Sequence, residues 1–321
     1  MCNARCLACG YWRHTHNKFL SASTFDKLLP FIKKNKLKNV TWSGGEPTLH
    51  KKLPDMMRRL SQLGIKNTLI TNGITLNTVL ANISPFLDHV ILSLDAVDAK
   101  MYKKIRGVDC FRNLMQLPQI IQKHSSQTTV SICCLLQRHN IDFVMRFLNL
   151  AVKLKINSVA FLVPDLFGYL SPRIHGCSFG RHNKHMRNVI GQVAPTKEQI
   201  DRFEKNIKKA QQFIKEHNGL ECPTVYVFDR YVEYFRNFID RKINGINPRC
   251  PIPFNSVVIT EDGYVKSCFF IPGREKITQK IDPFYCSKIK KIRQRLREDK
   301  DYSDKHCRQC LQTFREYESE E

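Results

Sequence analysis

The sequence predicts an α/β chain in which a partial parallel (β/α)6 barrel is followed by a small α+β domain built on a β-hairpin. Three observations predict it. Runs of mostly continuous apolar residues alternate with amphipathic helical patterns from Phe25 to Phe228, as strands buried on both faces of a parallel sheet require. Glycine-rich or polar motifs fall at the ends of successive strands. After Pro248 the pattern changes to a hairpin around Glu261-Asp262-Gly263, where Asp-Gly is a strong turn signal.

The elements follow in order. Phe25, Leu28, Leu29 and Ile32 repeat at helical spacing behind a Ser23 cap, and a strand at 39–42 runs into Ser43-Gly44-Gly45-Glu46-Pro47. A helix carrying Leu53, Met56, Met57, Leu60 and Leu63 closes at Gly64. A strand at 68–70 ends in Thr71-Asn72-Gly73, and a strand beginning at His89 ends in Ser93-Leu94-Asp95. A helix with Leu114, Leu117, Ile120 and Ile121 leads to a strand at 128–136, and a helix at 141–155 leads to a strand at 158–163. Ile200, Phe203, Ile207, Ala210 and Ile214 share one helix face, stopped near Gly219 before a strand at 224–228. About six units result, too few for a closed eightfold barrel. Between Val163 and Pro195 lies a long connection with Arg173, His175, Cys177, Arg181, His182 and His185. It reads as a solvated loop, with a substrate lid or a small zinc site as alternatives. The expected domains are residues 1–230 and 231–321. The second holds hairpin strands at 256–260 and 264–268 and a basic helix at 288–297 with Ile289, Ile292 and Leu296 on one face.

Composition narrows the class. A chain of 321 residues with 42% apolar residues can bury a large core. No segment has the apolar length of a membrane span, and Met1 runs straight into a cysteine loop without a leader, so a cytoplasmic protein with no membrane partner is expected. Thirteen cysteines in tight clusters fit metal ligation better than a disulfide framework. A formal charge of +23 suits an acidic partner: nucleic acid, a phosphorylated or carboxylated substrate, or an acidic electron carrier. A lysine-rich solvated surface accounts for the charge equally well.

Cys2, Cys6 and Cys9 form a C-x3-C-x2-C loop. Three thiolates can each hold one iron of a cubane cluster and leave the fourth iron open, although closely spaced cysteines also suit zinc.

Taken together, that loop, Gly44-Gly45-Glu46-Pro47, Thr71-Asn72-Gly73, Ser93-Leu94-Asp95 and Arg106-Gly107 resemble the radical SAM enzymes over nearly the whole chain. The resemblance implies a 4Fe-4S cluster on Cys2, Cys6 and Cys9, with S-adenosylmethionine on the open iron. It implies that Gly44, Gly45, Glu46 and Pro47 meet the methionine end of that cofactor, with Glu46 or nearby backbone receiving its ammonium. Thr71, Asn72, Ser93 and Asp95 are then placed to contact it from neighbouring strands, capping of the next turn being an equal reading for Ser93 and Asp95. Cys250, Cys268, Cys307 and Cys310 are similar to the four-cysteine auxiliary cluster of SPASM and twitch extensions, which implies a second, saturated 4Fe-4S cluster that moves electrons. Structural zinc on the same four residues is the alternative. The family carries an aromatic residue where Ala8 stands, so adenine packing falls to Tyr11 or Trp12 or is absent. The family's first strand precedes the cysteine loop, so either the true start lies upstream or the barrel lacks that strand.

The implied activity is reductive cleavage of S-adenosylmethionine to a 5′-deoxyadenosyl radical that abstracts hydrogen from a substrate. The substrate would be a peptide, an aminocyclitol or a cofactor precursor, oxidised or cross-linked. A reduced flavodoxin or ferredoxin would supply electrons. Asp229 and His175 are the candidate proton acceptors. Cys110, Cys133, Cys134, Cys177, Cys222 and Cys286 read as core or incidental. Two rivals remain: a basic metal-stabilised nucleic-acid-binding protein, in which Gly44 to Pro47 has no role, and a homologue that binds the cofactor without turnover.

Overall fold

Strands β1 (Asn39–Trp42), β2 (Lys66–Thr71), β3 (His89–Ser93), β4 (Thr129–Leu135) and β5 (Ser158–Leu162) lie parallel, in that order, in one sheet. The computed structural model of the chain describes residues 1–13, 18–166, 184–242, 251–269, 271, 275–280 and 282–298. Six helices, α1 (Ala22–Lys34), α2 (Leu53–Ser61), α3 (Leu76–Ile83), α4 (Ala99–Arg106), α5 (Phe111–His124) and α6 (Val144–Lys153), precede or join these strands. Beyond β5 come α7 (Lys184–Val193) and α8 (Lys197–Glu216). Among the described residues no strand precedes β1.

Local chemistry sets the helix ends. Ser21, not Ser23, caps α1 by accepting the Thr24 amide at 3.1 Å. Asp98 caps α4 in the same way, at 2.8 Å from the Met101 amide, and Gly107 ends that helix at φ 68°. Thr196 and Gln199 form a reciprocal capping box on α8.

The strands alternate in burial. On β3 and its extension Val90, Leu92 and Leu94 enter the main core, while Ile91 and Ser93 are half-buried on the other face. On β4 and its extension Val130, Ile132, Cys134 and Leu136 enter that core, while Ser131, Cys133 and Leu135 face the inner side. His89 Nε2 and Ser131 Oγ meet on the inner side at 2.7 Å.

The sixth strand expected at 224–228 is not a strand. Glu221 makes one parallel bridge to Ser158, with the Val159 amide donating to the Glu221 carbonyl at 2.8 Å. Pro223 has no N–H with which to extend the ladder, and Pro223–Val227 winds into a 3-10 turn that enters α9 (Phe228–Ile239). Val225, Phe228, Tyr231, Val232 and Phe235 are all buried, a helical rather than a two-residue period. Among the described residues the parallel sheet therefore has five strands rather than six, and Asp229 lies in the first turn of α9 instead of at a strand end. Phe147, Phe161, Phe228 and Phe203 meet in that order, edge-on or tilted, at centroid distances of 5.0 to 6.0 Å, joining α6, β5, α9 and α8.

After α10 (Ile252–Asn255) the hairpin is present, shorter than expected, as antiparallel β6 (Val258–Ile259) and β7 (Tyr264–Lys266). A third strand, β8 (Glu275–Lys276), pairs with β7, and α11 (Ser287–Glu298) follows. Val265, Ile277, Cys286 and Ile289 pack on Phe25, Leu28 and Ile32 of α1 and on Met56 and Leu60 of α2 as a second core. Polar contacts flank it: Asn35 Nδ2 donates to Asp282 Oδ2 at 3.2 Å, and Lys18 Nζ stands 2.9 Å from Asp262 Oδ1. Among the described residues no helix is long and apolar enough to cross a membrane.

Candidate active site

The cysteine loop lies across the C-terminal ends of the strands and is tied there by backbone. The Arg5 and Leu7 amides donate to the carbonyls of Arg106 and Ile105, each at 2.9 Å, so the end of α4 holds the middle of the loop. Gly107 allows this approach, since a Cβ there would sit 2.7 Å from the Arg5 Cβ. The Glu46 amide donates to the Met1 carbonyl at 2.9 Å, so the end of β1 holds the loop's start. A Cβ on Gly45 would lie 1.9 Å from the same Met1 oxygen. Gly45→Ala is therefore expected to displace Met1 and the adjoining loop, at a cost of about 1–3 kcal/mol. Denaturant midpoints and bound iron should both fall, whereas Gly219→Ala, with open space around it, should change neither.

Each cysteine sulfur accepts a hydrogen bond from a different element. Asn72 Nδ2, beyond β2, reaches Cys2 Sγ at 3.8 Å; Arg106 Nη1, from α4, reaches Cys6 Sγ at 3.7 Å; the Tyr11 amide reaches Cys9 Sγ at 3.4 Å. N–H donors of this kind offset the negative charge of cluster thiolates. None of the three is in a disulfide. Among the described residues no three His, Cys, Asp or Glu side chains are placed to hold a single metal ion. Three thiols on one loop with separate N–H partners fit a polynuclear cluster, in which each holds a different iron. Burial pushes the free Cys6 thiol up to about 11 although Arg106 pulls the other way, so metal coordination rather than solvent would supply the thiolate.

The motif residues divide by role. Glu46 is buried, and its carboxylate is engaged by protein: Oε1 accepts from Thr48 N, Thr48 Oγ1 and Thr71 Oγ1 at 3.1, 2.7 and 2.7 Å, and Oε2 accepts the Asn72 amide at 2.8 Å. It binds β1 to β2 at their C-terminal ends, and Thr71 serves that bond. Asn72 also donates to Asn3 Oδ1 at 2.7 Å, facing the cysteine loop. Gly44, at φ 128°, and Gly45 pass under Tyr11, and Pro47 starts a 3-10 turn. Ser93 is half-buried at the end of β3. Asp95 is buried, with Oδ1 accepting the Leu135 amide at 2.7 Å and Oδ2 standing 2.8 Å from Arg106 Nε. Burial works against charge on Arg106, yet Asp95 holds the guanidinium above its ordinary range, so the cation beside Cys6 is permanent. Nothing in the sequence motifs joins Asp95 to Arg106, which lie eleven residues apart and meet only in the fold.

The aromatic pair beside Ala8 also separates. Trp12 Nε1 donates to the Cys6 carbonyl at 3.1 Å and its ring lies under the Arg5 guanidinium, while Tyr11 lies over Gly44 and Gly45. The Tyr11 hydroxyl donates to Glu261 in the β6–β7 turn, and burial, then Glu261, raises its pKa. Cys110, Cys134, Cys222 and Cys286 are buried and Cys133 half-buried, in line with core positions. Cys250, Cys307 and Cys310 lie outside the described residues, as do Arg173, His175, Cys177, Arg181 and His182 and the side chain of His185. Cys268 is described, its sulfur accepting the Ile271 amide at 3.3 Å.

Comparison with known proteins agrees with this geometry. A probable GTP 3′,8-cyclase of Sulfurisphaera tokodaii is 22% identical over 242 residues, 74% of this chain and 68% of that protein. A probable GTP 3′,8-cyclase of Saccharolobus islandicus is 28% identical over 163 residues, so the chain spans about half of that relative (52%). Among solved structures, Streptococcus suis SuiB bound to the precursor peptide SuiA superposes with TM-score 0.60 at 14% identity, over 90% of this chain and 63% of SuiB. SuiB bound to S-adenosylmethionine gives TM-score 0.58 at 15% identity, over 83% of this chain and 57% of SuiB. At those identities the likeness is one of fold. Residues 1–151 match the profile of the Radical SAM superfamily. Through that segment, with its cysteine loop lying over a parallel sheet, the chain is similar to the radical SAM superfamily.

Proposed function

We propose that this chain cleaves S-adenosylmethionine reductively at the Cys2, Cys6 and Cys9 loop and abstracts a hydrogen atom from an unactivated C–H bond of its substrate. The observation that carries the reading is the set of three free cysteine sulfurs, each with its own N–H donor from Asn72, Arg106 or Tyr11. When bound, the 4Fe-4S cluster and S-adenosylmethionine supply a 5′-deoxyadenosyl radical. The chain's own residues hold and orient. Arg106 places a fixed positive charge at Cys6, Gly44 to Pro47 offers close backbone to the methionine end, and Asn72, Ser93 and Asp95 stand at the next strand ends. Because the Glu46 carboxylate already accepts four protein hydrogen bonds, the backbone around it is the better candidate to receive the ammonium.

The substrate class is a peptide, an aminocyclitol or a cofactor precursor, undergoing oxidation or cross-linking. The named relatives include enzymes called GTP 3′,8-cyclases and a protein seen with a precursor peptide, and the charge of +23 suits an anionic substrate and an acidic flavodoxin- or ferredoxin-type reductant. A second 4Fe-4S cluster on Cys250, Cys268, Cys307 and Cys310 is proposed from their spacing, in a twitch-like part at 231–321 following a core at 1–230. Helix α9 crosses that boundary and packs with α8, Arg236 lying 2.6 Å from Glu204. Anaerobic reconstitution should give about eight irons per chain, and dithionite with S-adenosylmethionine should release 5′-deoxyadenosine. No 5′-deoxyadenosine from iron-replete protein would sink the reading; about four irons with bound zinc would remove only the second cluster.

A further inference from the structure

Each residue that donates an N–H to a cysteine sulfur is itself held by a carboxylate. Glu46 Oε2 accepts the Asn72 amide at 2.8 Å, and Asp95 Oδ2 stands 2.8 Å from Arg106 Nε. Glu261 accepts the Tyr11 hydroxyl. Glu46 and Asp95 follow strands β1 and β3 of the parallel sheet, whereas Glu261 lies in the turn of the β6–β7 hairpin. The donor to Cys9 is thus held from outside the parallel sheet.

The turn is fixed by its own bonds. The Thr260 amide donates to the Tyr264 carbonyl and the Tyr264 amide to Thr260 Oγ1, each at 3.0 Å. Gly263, at φ 78°, closes the turn with its amide 2.9 Å from the Thr260 carbonyl. Val265 anchors the hairpin in the second core, against α1 and α2. Three successive turn residues then meet the segment that follows the cysteine loop. Glu261 takes Tyr11, Asp262 Oδ1 stands 2.9 Å from Lys18 Nζ, and a Cβ on Gly263 would lie 3.3 Å from Thr24 Cγ2. The first of these contacts reaches the loop. Tyr11 has its amide 3.4 Å from Cys9 Sγ, its ring against Gly45 and its hydroxyl on Glu261. Met1, Arg5 and Leu7 tie the start and middle of the loop by backbone to Glu46 and to the end of α4, and Tyr11 lies past its end.

We propose that Glu261 is a positioning residue for the cluster on Cys2, Cys6 and Cys9: by holding Tyr11 it keeps an N–H donor on the Cys9 sulfur. The proposal rests on the cofactor reading given above. An N–H bond to a ligand thiolate offsets its negative charge, which favours the reduced cluster and opposes loss of the ligand. A Tyr11 hydroxyl without its acceptor would turn toward water, and the amide on Cys9 would move with it.

The test uses the full chain reconstituted anaerobically and reduced, and follows the electron paramagnetic resonance signal that changes when S-adenosylmethionine is added. Glu261→Ala and Glu261→Gln both remove the negative charge, and only the glutamine keeps an acceptor for the phenol. Decay of that signal in the presence of an iron chelator should be about 5-fold faster or more in Glu261→Ala and in Tyr11→Phe, and within about 2-fold of wild type in Glu261→Gln. The double variant Tyr11→Phe with Glu261→Ala should decay no faster than either single one, since the two groups form one bond. The midpoint potential of the signal should be lower in Glu261→Ala than in Glu261→Gln. Asp262→Ala, which breaks the exposed pair with Lys18 in the same turn, should behave as wild type. Wild-type decay and potential in Glu261→Ala overturn the proposal, as does a Glu261→Gln chain as impaired as Glu261→Ala. Additive losses in the double variant, or an Asp262→Ala chain as impaired as Glu261→Ala, overturn it too. A wild-type chain whose signal does not respond to S-adenosylmethionine instead overturns the cofactor reading, and the proposal falls with it.

Discussion

Replacing Cys6 with serine is expected to remove about four irons per chain and to abolish release of 5′-deoxyadenosine. The two remaining thiols cannot hold three irons, and a serine hydroxyl beside Arg106 is neither soft nor anionic enough to take the place of the thiolate. Cys222→Ser is the matched control. That thiol is buried in the main core against Thr224 at 3.7 Å, far from the loop in sequence and function, and its loss should leave iron content unchanged. Iron per chain by colorimetry and 5′-deoxyadenosine by chromatography give the two readouts. Full iron and full product in the Cys6→Ser chain would refute the assignment of the loop.

Arg106→Met should destabilise the unliganded chain by about 3–5 kcal/mol, because it leaves the Asp95 carboxylate buried and without its cation. The two side chains are only 12% and 5% exposed, so little solvent is available to compensate. Urea denaturation of the metal-free protein measures this directly. The double variant Arg106→Met with Asp95→Asn should recover most of the loss, since a neutral amide removes the stranded charge. Recovery of stability without recovery of iron retention would separate the two duties of Arg106, to Asp95 and to Cys6. A single variant as stable as wild type would show that the pair contributes nothing.

Much of this was legible in the sequence, and the limits have physical causes. Gly44-Gly45-Glu46-Pro47 reads as a strand end where glycine lets backbone approach a ligand closely, and in the structure the Met1 carbonyl lies against Gly45. The partners of Glu46 were not legible, for Thr71 and Asn72 are 25 and 26 residues away and are brought close only by the β1–β2 pairing. Residues 224–228 misled because Thr, Val, Tyr and Phe favour strands, whereas Pro223 and the helical burial of Val225, Phe228 and Tyr231 decide otherwise. Asp95 reads as a ligand contact or a turn cap, and its buried ion pair was not legible, since nothing local in the chain joins it to Arg106 or to the Leu135 amide.

Tyr11 sits with its ring over Gly44 and Gly45 and its hydroxyl on Glu261. The consequence concerns inheritance. A chimera joining the first part of this chain to a last part with no acceptor at position 261 would lose the Tyr11–Glu261 hydrogen bond beside the cysteine loop. Segments can be exchanged among homologues without that penalty only when positions 11 and 261 travel together.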